Sequence, residues 1–240
     1  METILILHGW GIGSKTWSRV KKDLEGRGCE VFVPDLPGFG SNPAPAKPWA
    51  IDDYADWVRD YCDKNNLSQF FLVGHSFGGG IAVKFFNRYS EKVKRLILVA
   101  PALVREKTYR YYLALTFAKS GKLLFSIPGL SYFQPIARKI LYSLIGSRDY
   151  YKLETEKTLT MKDTFKKVIS EDLRPYLKNI KVPTLLIWGK KDNMTPFKYT
   201  NLINKEISTL RFEAVADGEH VLNLQNPEIL VEKIIKFIRS

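Results

Sequence analysis

The chain has 240 residues, of which 45% are hydrophobic and 26% charged, a composition typical of a globular protein that needs no disulfide or metal for a core. Its two cysteines, Cys29 and Cys62, have neither redox nor zinc-site spacing, so we predict reduced thiols in a cytosolic protein. The first residues lack a basic segment and no run of about eighteen apolar residues occurs, so we expect neither a signal peptide nor a membrane span. The net charge of +12 favours acidic partners or is simply a solvated surface.

The first hundred residues alternate between strand and helix patterns. An apolar run at residues 3–7 predicts a buried strand, and apolar positions three and four apart over residues 15–24 predict an amphipathic helix. The same reasoning predicts strands at 31–33, 70–73 and 96–99, a helix at 51–61 and a helix ending near Tyr89.

This alternation stops near Ala102, and up to about Tyr176 the apolar residues recur at helical spacing, interrupted by glycine and proline. It then returns with strands at 184–188 and 210–215 and helices at 197–205 and 227–238. Strands separated by helices predict an α/β fold with a mostly parallel sheet and helices on both faces. We expect the α/β core to consist of residues 1–101 and 177–240. Residues 102–176 should form a helical cap inserted between these two parts.

Residues 74–78 read Gly-His-Ser-Phe-Gly, between a predicted strand and a predicted helix. In this G-x-S-x-G turn the central serine takes a strained backbone conformation, and small residues two positions before and after it relieve the crowding. Gly74 and Gly78 occupy both positions. The pattern predicts Ser76 as a nucleophile, and the alternative is a glycine-rich turn with an ordinary serine.

A serine hydroxyl needs a base to take its proton, and the chain offers three histidines. His75 precedes Ser76 directly, so its side chain should point away from the serine side chain. His8 lies in the loop after the first strand. His220, between the last strand and the last helix, is the remaining candidate base, and the alternative is an ordinary loop histidine.

The base in turn needs a carboxylate that fixes its tautomer and stabilises its charged form. Asp192 follows the strand at 184–188, and parallel sheets place their sites at the carboxyl ends of strands. Asp217 and Asp35 are competitors, because the first is close to His220 in sequence and the second also follows a strand. We expect both of them to cap turns or to accept backbone N–H groups.

The oxyanion of an acyl-transfer reaction needs two backbone donors. The candidates are the N–H of Phe77, at the start of the helix after the serine, and the N–H of Trp10, in the loop after the first strand. Trp10 is alternatively only a packing residue. No metal-ligand spacing, phosphate loop or dinucleotide motif occurs, so we expect no metal and no cofactor.

Five segments together resemble the α/β-hydrolase superfamily, specifically its small capped serine esterase-like members: residues 7–11, 35–41, 74–79, 183–192 and 218–220. The resemblance covers nearly the whole chain. It implies the α/β-hydrolase fold and a catalytic triad in the order Ser76, Asp192, His220, and it identifies the insertion as the family's helical cap. The family's sheet usually begins with two further strands, so a shortened sheet is implied here.

Within the superfamily the fold does not choose the substrate. We expect hydrolysis of a small-molecule carboxylic ester through an acyl-enzyme intermediate, because acyl transfer is what these residues perform with the least added machinery. A serine at position 76 argues against haloalkane dehalogenase and epoxide hydrolase chemistry, because those family members use aspartate there. Thioesterases, lactonases, carbon–carbon bond hydrolases and cofactor-free haloperoxidases remain alternatives, and so does a ligand-binding protein on a hydrolase scaffold. Residues 8–11 and 35–40 also look like the esterase that demethylates pimeloyl chains on acyl carrier protein.

The basic charge is concentrated in the predicted cap. The stretch from Ala102 to Lys178 contains fifteen Lys or Arg and seven Asp or Glu, so it carries +8 of the chain's net charge of +12. It also contains eight of the twelve tyrosines. Long basic side chains lying over apolar helices are one explanation. The other is attraction of an anionic acyl conjugate, such as a carrier-protein or coenzyme A ester. We expect no nucleic-acid partner, because no reading motif accompanies the charge.

Overall fold

The computed structural model describes residues 1–105 and 158–240. Most of the predicted cap, residues 106–157, lies outside the described residues, so the cap and its boundaries stay a prediction. None of the described helices is long and apolar enough to cross a membrane.

The core is a six-stranded sheet in the order β2-β1-β3-β4-β5-β6, in which every pair of neighbouring strands is parallel. The predicted α/β fold with a parallel sheet is therefore confirmed. The strands are β1 Glu2–Leu7, β2 Cys29–Phe32, β3 Phe70–His75, β4 Val93–Val99, β5 Thr184–Gly189 and β6 Leu210–Val215.

Helices cover both faces of this sheet because side chains alternate in direction along each strand. In β1, Leu5 and Leu7 belong to one apolar core, whereas Ile4 and Ile6 belong to the other. The described helices are α1 Ser18–Glu25, α2 Ile51–Lys64, α3 Phe77–Arg88, α4 Leu159–Ser170, α5 Arg174–Leu177, α6 Tyr199–Glu206, α7 Leu222–Gln225 and α8 Pro227–Ile238. Helices α2 and α3 pack on the first core, and α1 and α8 on the second.

Several element boundaries differ from the prediction, two of them near the start of the chain. The helix expected at residues 15–24 begins with a 3-10 turn, Ser14–Trp17, in which the Thr16 amide donates to the Gly13 carbonyl, and becomes α-helical only at Ser18. The strand expected at 31–33 starts earlier, at Cys29, because that residue pairs with Glu2 of β1. Neither difference moves a candidate site residue.

Helix α4, the first described element after residues 106–157, is held to the core by polar groups. The buried Lys84 of α3 contacts Glu171 at 2.6 Å and Asp52 of α2 at 2.9 Å. Thr164 is fully buried, and its Oγ1 accepts the Trp49 amide at 3.0 Å. These bonds fix α4 beside the carboxyl ends of the strands, where the candidate site lies.

Candidate active site

Ser76 sits between β3 and α3 with φ 51° and ψ −114°, a conformation that residues other than glycine rarely adopt. The turn is possible because glycines flank it. A Cβ on Gly78 would overlap the Leu7 carbonyl oxygen, and one on Gly74 would lie 2.5 Å from the Gly78 carbonyl oxygen. The strained turn predicted from the sequence is therefore present, and such strain is typical of functional positions.

His220 lies between β6 and α7 and contacts the serine. Its Nε2 is 2.9 Å from Ser76 Oγ, and its Nδ1 is 2.9 Å from Asp192 Oδ2. An ionised carboxylate only accepts hydrogen bonds, so Nδ1 carries the proton and Nε2 is left to accept the serine hydroxyl. The three residues predicted to form the triad are thus brought together in one hydrogen-bonded chain.

Asp192 follows β5 and is 5% exposed. Its Oδ1 accepts the backbone amides of Met194 at 2.8 Å and Thr195 at 2.9 Å. Burial raises the pKa of this carboxyl, but hydrogen bonds from His220 and Thr195 outweigh burial and hold the pKa below its ordinary value. Asp192 is therefore ionised at neutral pH and accepts the N–H of His220.

The loop that carries Asp192 meets the loop that carries His220 because Gly189 and Gly218 let the two backbones approach closely. A Cβ on Gly189 would overlap the carbonyl oxygen of Gly218, and the Lys191 amide donates to that same carbonyl at 2.9 Å. This contact brings the residues that follow β5 beside those that follow β6. Asp192 and His220 can therefore meet although they are 28 positions apart in sequence.

The two competing carboxylates have other partners. Asp217 is exposed and forms an ion pair with Lys191 at 2.8 Å, rather than the turn cap or backbone bond expected of it. Asp35 accepts the backbone amides of Ser14 at 2.6 Å and Ser41 at 2.9 Å, as predicted. Asp35 thereby connects the loop after β1 to the loop after β2.

The other two histidines form hydrogen bonds with backbone groups. His8 is buried, and its Nε2 accepts the Leu36 amide at 3.0 Å. The Nε2 of His75 lies 3.0 Å from the His220 carbonyl oxygen and donates to it. Burial lowers the pKa of both imidazoles, that of His75 to about 3, so both are neutral at physiological pH.

The two candidate oxyanion donors lie beside the serine. Phe77 is the first residue of α3, directly after Ser76. Trp10 follows Gly9, where a Cβ would lie 3.4 Å from the Ser76 Cβ, so this loop passes next to the serine. The Trp10 ring packs on Phe77 at 5.1 Å between centroids, so Trp10 has the packing contact that its alternative role requires.

A cavity of about 630 Å³ opens above the serine. Its described wall contains Ser76 and His220 but no Asp, Glu, Lys or Arg. The larger apolar side chains that line the cavity are those of Trp10, Ile12, Phe39, Met161, Phe165, Met194 and Val221. An uncharged, apolar group attached to a reacting carbonyl would fit this wall.

The sequence model of the alpha/beta hydrolase fold family matches residues 2–227. The chain belongs to this family. The resemblance inferred from the five sequence segments is thereby confirmed.

The similarity extends over whole proteins. This alpha/beta hydrolase is 28% identical to the AB hydrolase superfamily protein YisY of Bacillus subtilis, over 99% of this chain and 91% of that protein. It is 26% identical to the pimeloyl-[acyl-carrier protein] methyl ester esterase of Wigglesworthia glossinidia brevipalpis, over 98% of this chain and 92% of that protein. The structure of an esterase from Exiguobacterium antarcticum has the same fold, with a TM-score of 0.76, 22% identity and coverage of 100% and 92% of the two chains.

Sequence reasoning missed three residues that contribute to the site of this hydrolase. The Thr195 Oγ1 lies 2.7 Å from Asp192 Oδ2, and a hydroxyl three residues after an aspartate is the only sequence signal that could have indicated it. Met161 and Phe165, one helical turn apart on α4, line the cavity. Their spacing predicts a buried helix face but does not tell which surface it covers.

Proposed function

We propose that the protein hydrolyses carboxylic esters through an acyl-enzyme intermediate on Ser76. The proposal rests on one observation, the hydrogen-bonded chain from Ser76 Oγ through His220 to Asp192, of which Ser76 and His220 line the cavity. A nucleophile within 2.9 Å of a base, which is itself oriented by a buried carboxylate, is the arrangement that activates a serine hydroxyl.

In the proposed reaction His220 Nε2 takes the hydroxyl proton as Ser76 Oγ attacks the ester carbonyl carbon. The protonated imidazole then gives this proton to the departing alkoxide, and the alcohol leaves. A water molecule, deprotonated by the same Nε2, attacks the acyl-serine. The imidazolium then gives this proton to Ser76 Oγ as the bond to the acyl group breaks and the carboxylic acid leaves. Asp192 keeps the Nδ1 proton in place and stabilises the imidazolium in both steps.

The tetrahedral oxyanion would be stabilised by the backbone N–H groups of Phe77 and Trp10. Support for this assignment is their location, since one begins α3 beside the serine and the other lies on the loop that passes next to it. Removing one donor of this kind typically costs about 3–4 kcal/mol of transition-state stabilisation.

For the substrate we propose a small-molecule ester whose group next to the carbonyl is apolar. The uncharged described wall of the cavity and its aromatic side chains support this class. The named ester-cleaving relative, which acts on a carrier-bound pimeloyl methyl ester, adds support for ester chemistry. An acidic group farther from the carbonyl is compatible with the basic charge between Ala102 and Lys178.

The test is labelling with a fluorophosphonate, followed by turnover of p-nitrophenyl butyrate. We expect one label per chain, on Ser76, and multiple turnover by the wild type. Ser76→Ala should lose the label and nearly all turnover but keep its melting temperature, because only a hydroxyl is removed. Residual catalysis of about 10³-fold over water can survive from binding and the oxyanion donors.

Ser208→Ala is the matched control, because Ser208 is exposed and precedes β6, at the opposite end of the sheet. It should retain wild-type labelling and turnover. Wild-type kcat in Ser76→Ala would overturn the nucleophile. Labelling of Ser76 without turnover on a panel of esters would instead indicate a ligand-binding protein on a hydrolase scaffold.

A further inference from the structure

From the described residues the Asp192 carboxylate accepts four hydrogen bonds, and two of them come from Thr195. The Thr195 amide donates to Oδ1 at 2.9 Å and its hydroxyl to Oδ2 at 2.7 Å, so this residue contacts both carboxylate oxygens. The other two donors are the Met194 amide, to Oδ1, and His220 Nδ1, to Oδ2. A carboxylate has about four acceptor positions, so all of them are occupied.

The Thr195 hydroxyl lies at the contact between acid and base. Its Oγ1 is 3.2 Å from His220 Nδ1 and 3.3 Å from the Ala100 carbonyl oxygen, both longer than its 2.7 Å distance to Asp192. The hydroxyl proton therefore goes to the carboxylate, because hydrogen bonds to charged acceptors are shorter and stronger. His220 and Thr195 thus donate to the same oxygen of Asp192.

Thr195 is itself fixed by the core. Its carbonyl accepts the indole N–H of Trp188 at 3.0 Å, and Trp188 is fully buried at the end of β5. The loop that carries the acid is therefore attached to the strand through Thr195. A carboxylate rotates easily about its last side-chain torsion, so contacts at both oxygens are what define its plane.

We propose that Thr195 is a positioning residue, whose hydroxyl holds Asp192 Oδ2 in line with the N–H of His220. This inference rests on the proposed function of the triad. Without the hydroxyl, the two amides still hold Oδ1, but Oδ2 retains only its bond to His220. Two effects follow: the carboxylate rotates more freely, and more negative charge on Oδ2 is available to stabilise the imidazolium.

The test compares Thr195→Val, which removes the hydroxyl and keeps the shape, with Thr195→Ser, which keeps the hydroxyl. We expect Thr195→Val to lower kcat on p-nitrophenyl butyrate on the order of tenfold, since a hydrogen bond to a charged group is lost, with little change in KM. The acidic limb of its kcat/KM profile should move to higher pH. Thr195→Ser should restore both values most of the way to wild type.

The matched control is Thr200→Val. Thr200 is also buried and its hydroxyl donates to the Phe197 carbonyl at 2.8 Å, but it is not part of the cavity wall or the triad. Its loss should lower the melting temperature and leave kcat and the pH profile unchanged. Should Thr195→Val fail to fold, Thr195→Ala takes its place, because it also lacks the hydroxyl and keeps the amide.

The outcomes separate this inference from the proposed function. If fluorophosphonate labels wild-type Ser76 and the folded Thr195 variant matches the wild type in kcat and pH profile, the positioning role is wrong and the triad stands. An equal loss in Thr195→Val and Thr195→Ser would also overturn it, because the hydroxyl would then not matter. If wild-type Ser76 is neither labelled nor required for turnover, both proposals fail.

Discussion

Burial distinguishes residues of the same type in this site. Asp192 is held by four hydrogen bonds inside the protein, whereas Asp217, close to the base in sequence, points into solvent and pairs with Lys191. Water strongly screens the electrostatic interactions of an exposed carboxylate, whereas those of a buried carboxylate are screened much less. The environment therefore makes Asp192 the effective partner of His220, although Asp217 is only three positions away from it.

This difference predicts unequal effects of neutralising the two carboxylates. Asp192→Asn should lower kcat by up to about 10⁴-fold, because an amide neither fixes the required tautomer of His220 nor stabilises its charged form. Asp217→Asn should change kcat little, because the group it alters is an exposed ion pair. Both are measured by steady-state kinetics on p-nitrophenyl butyrate, with melting temperatures as the control for folding. The reverse ranking would show that Asp217 is the acid.

Sequence reasoning selected the three residues that the structure brings into one hydrogen-bonded chain because few residues competed for each proposed role. Three histidines could be assigned to three different loops, and the serine pattern carried its own strand-to-helix context. Thr195 could not be found in this way, because threonines are common and its role depends on a 2.7 Å contact formed only by the folded loop. The donation from His75 to the His220 carbonyl is of the same kind, a contact between residues 145 positions apart.

At the scale of elements, the turn between β3 and α3 is the feature that presents Ser76, the proposed nucleophile. The helix can begin immediately after Ser76 only because its first turn lies against the end of β1, with Gly78 facing the Leu7 carbonyl. Gly80 is two residues further along the same helix and faces the side chain of Leu173 instead, where a Cβ would lie 3.0 Å from Cδ1. A flexible side chain can move by a few tenths of an ångström, whereas a strand carbonyl in the sheet cannot.

Two alanine substitutions in α3 should therefore differ in sign or size. Gly78→Ala should lower the free energy of unfolding by about 3 kcal/mol or more, because the methyl group displaces the helix from the sheet. Gly80→Ala should be close to neutral, since a small shift of Leu173 is offset by about 1 kcal/mol of helix propensity. Urea unfolding followed by circular dichroism measures both. Equal destabilisation would mean that helix α3 does not depend on this close approach.

Element positions were largely predictable where apolar periodicity is strong. The last strand and the last helix have the predicted bounds, 210–215 and 227–238. Helix α2 continues past its predicted end at Tyr61 to Lys64, because Cys62 is still buried on its apolar face. Helix α6 begins two residues later than predicted, at Tyr199, because Phe197 and Lys198 lie in the turn that closes on it. Ends such as these are set by tertiary contacts that no local pattern contains.

For the molecule as a whole, the distribution of charge differs from the chemistry of the site. The chain carries +12, two-thirds of it between Ala102 and Lys178, yet the described wall of the cavity has no charged side chain. The electrostatic field of this net charge would attract an anionic substrate before it enters the cavity, whereas the apolar wall contacts only the part of the substrate that is bound. Charge is therefore expected to influence the rate of association rather than the chemical step.

The expected consequence is a salt effect confined to anionic substrates. Between 0.01 M and 0.1 M salt the Debye length falls from about 30 Å to about 10 Å, so steering by the insertion is progressively screened. Over this range kcat/KM for an ester with a distal carboxylate should fall markedly, while that for a neutral ester of equal length should stay nearly constant. Lys162→Glu, on α4 beside the cavity residue Met161, should weaken the salt response more than Lys236→Glu on α8, although both change the net charge by the same amount. Equal salt responses of the two esters would show that the charge only solvates the surface.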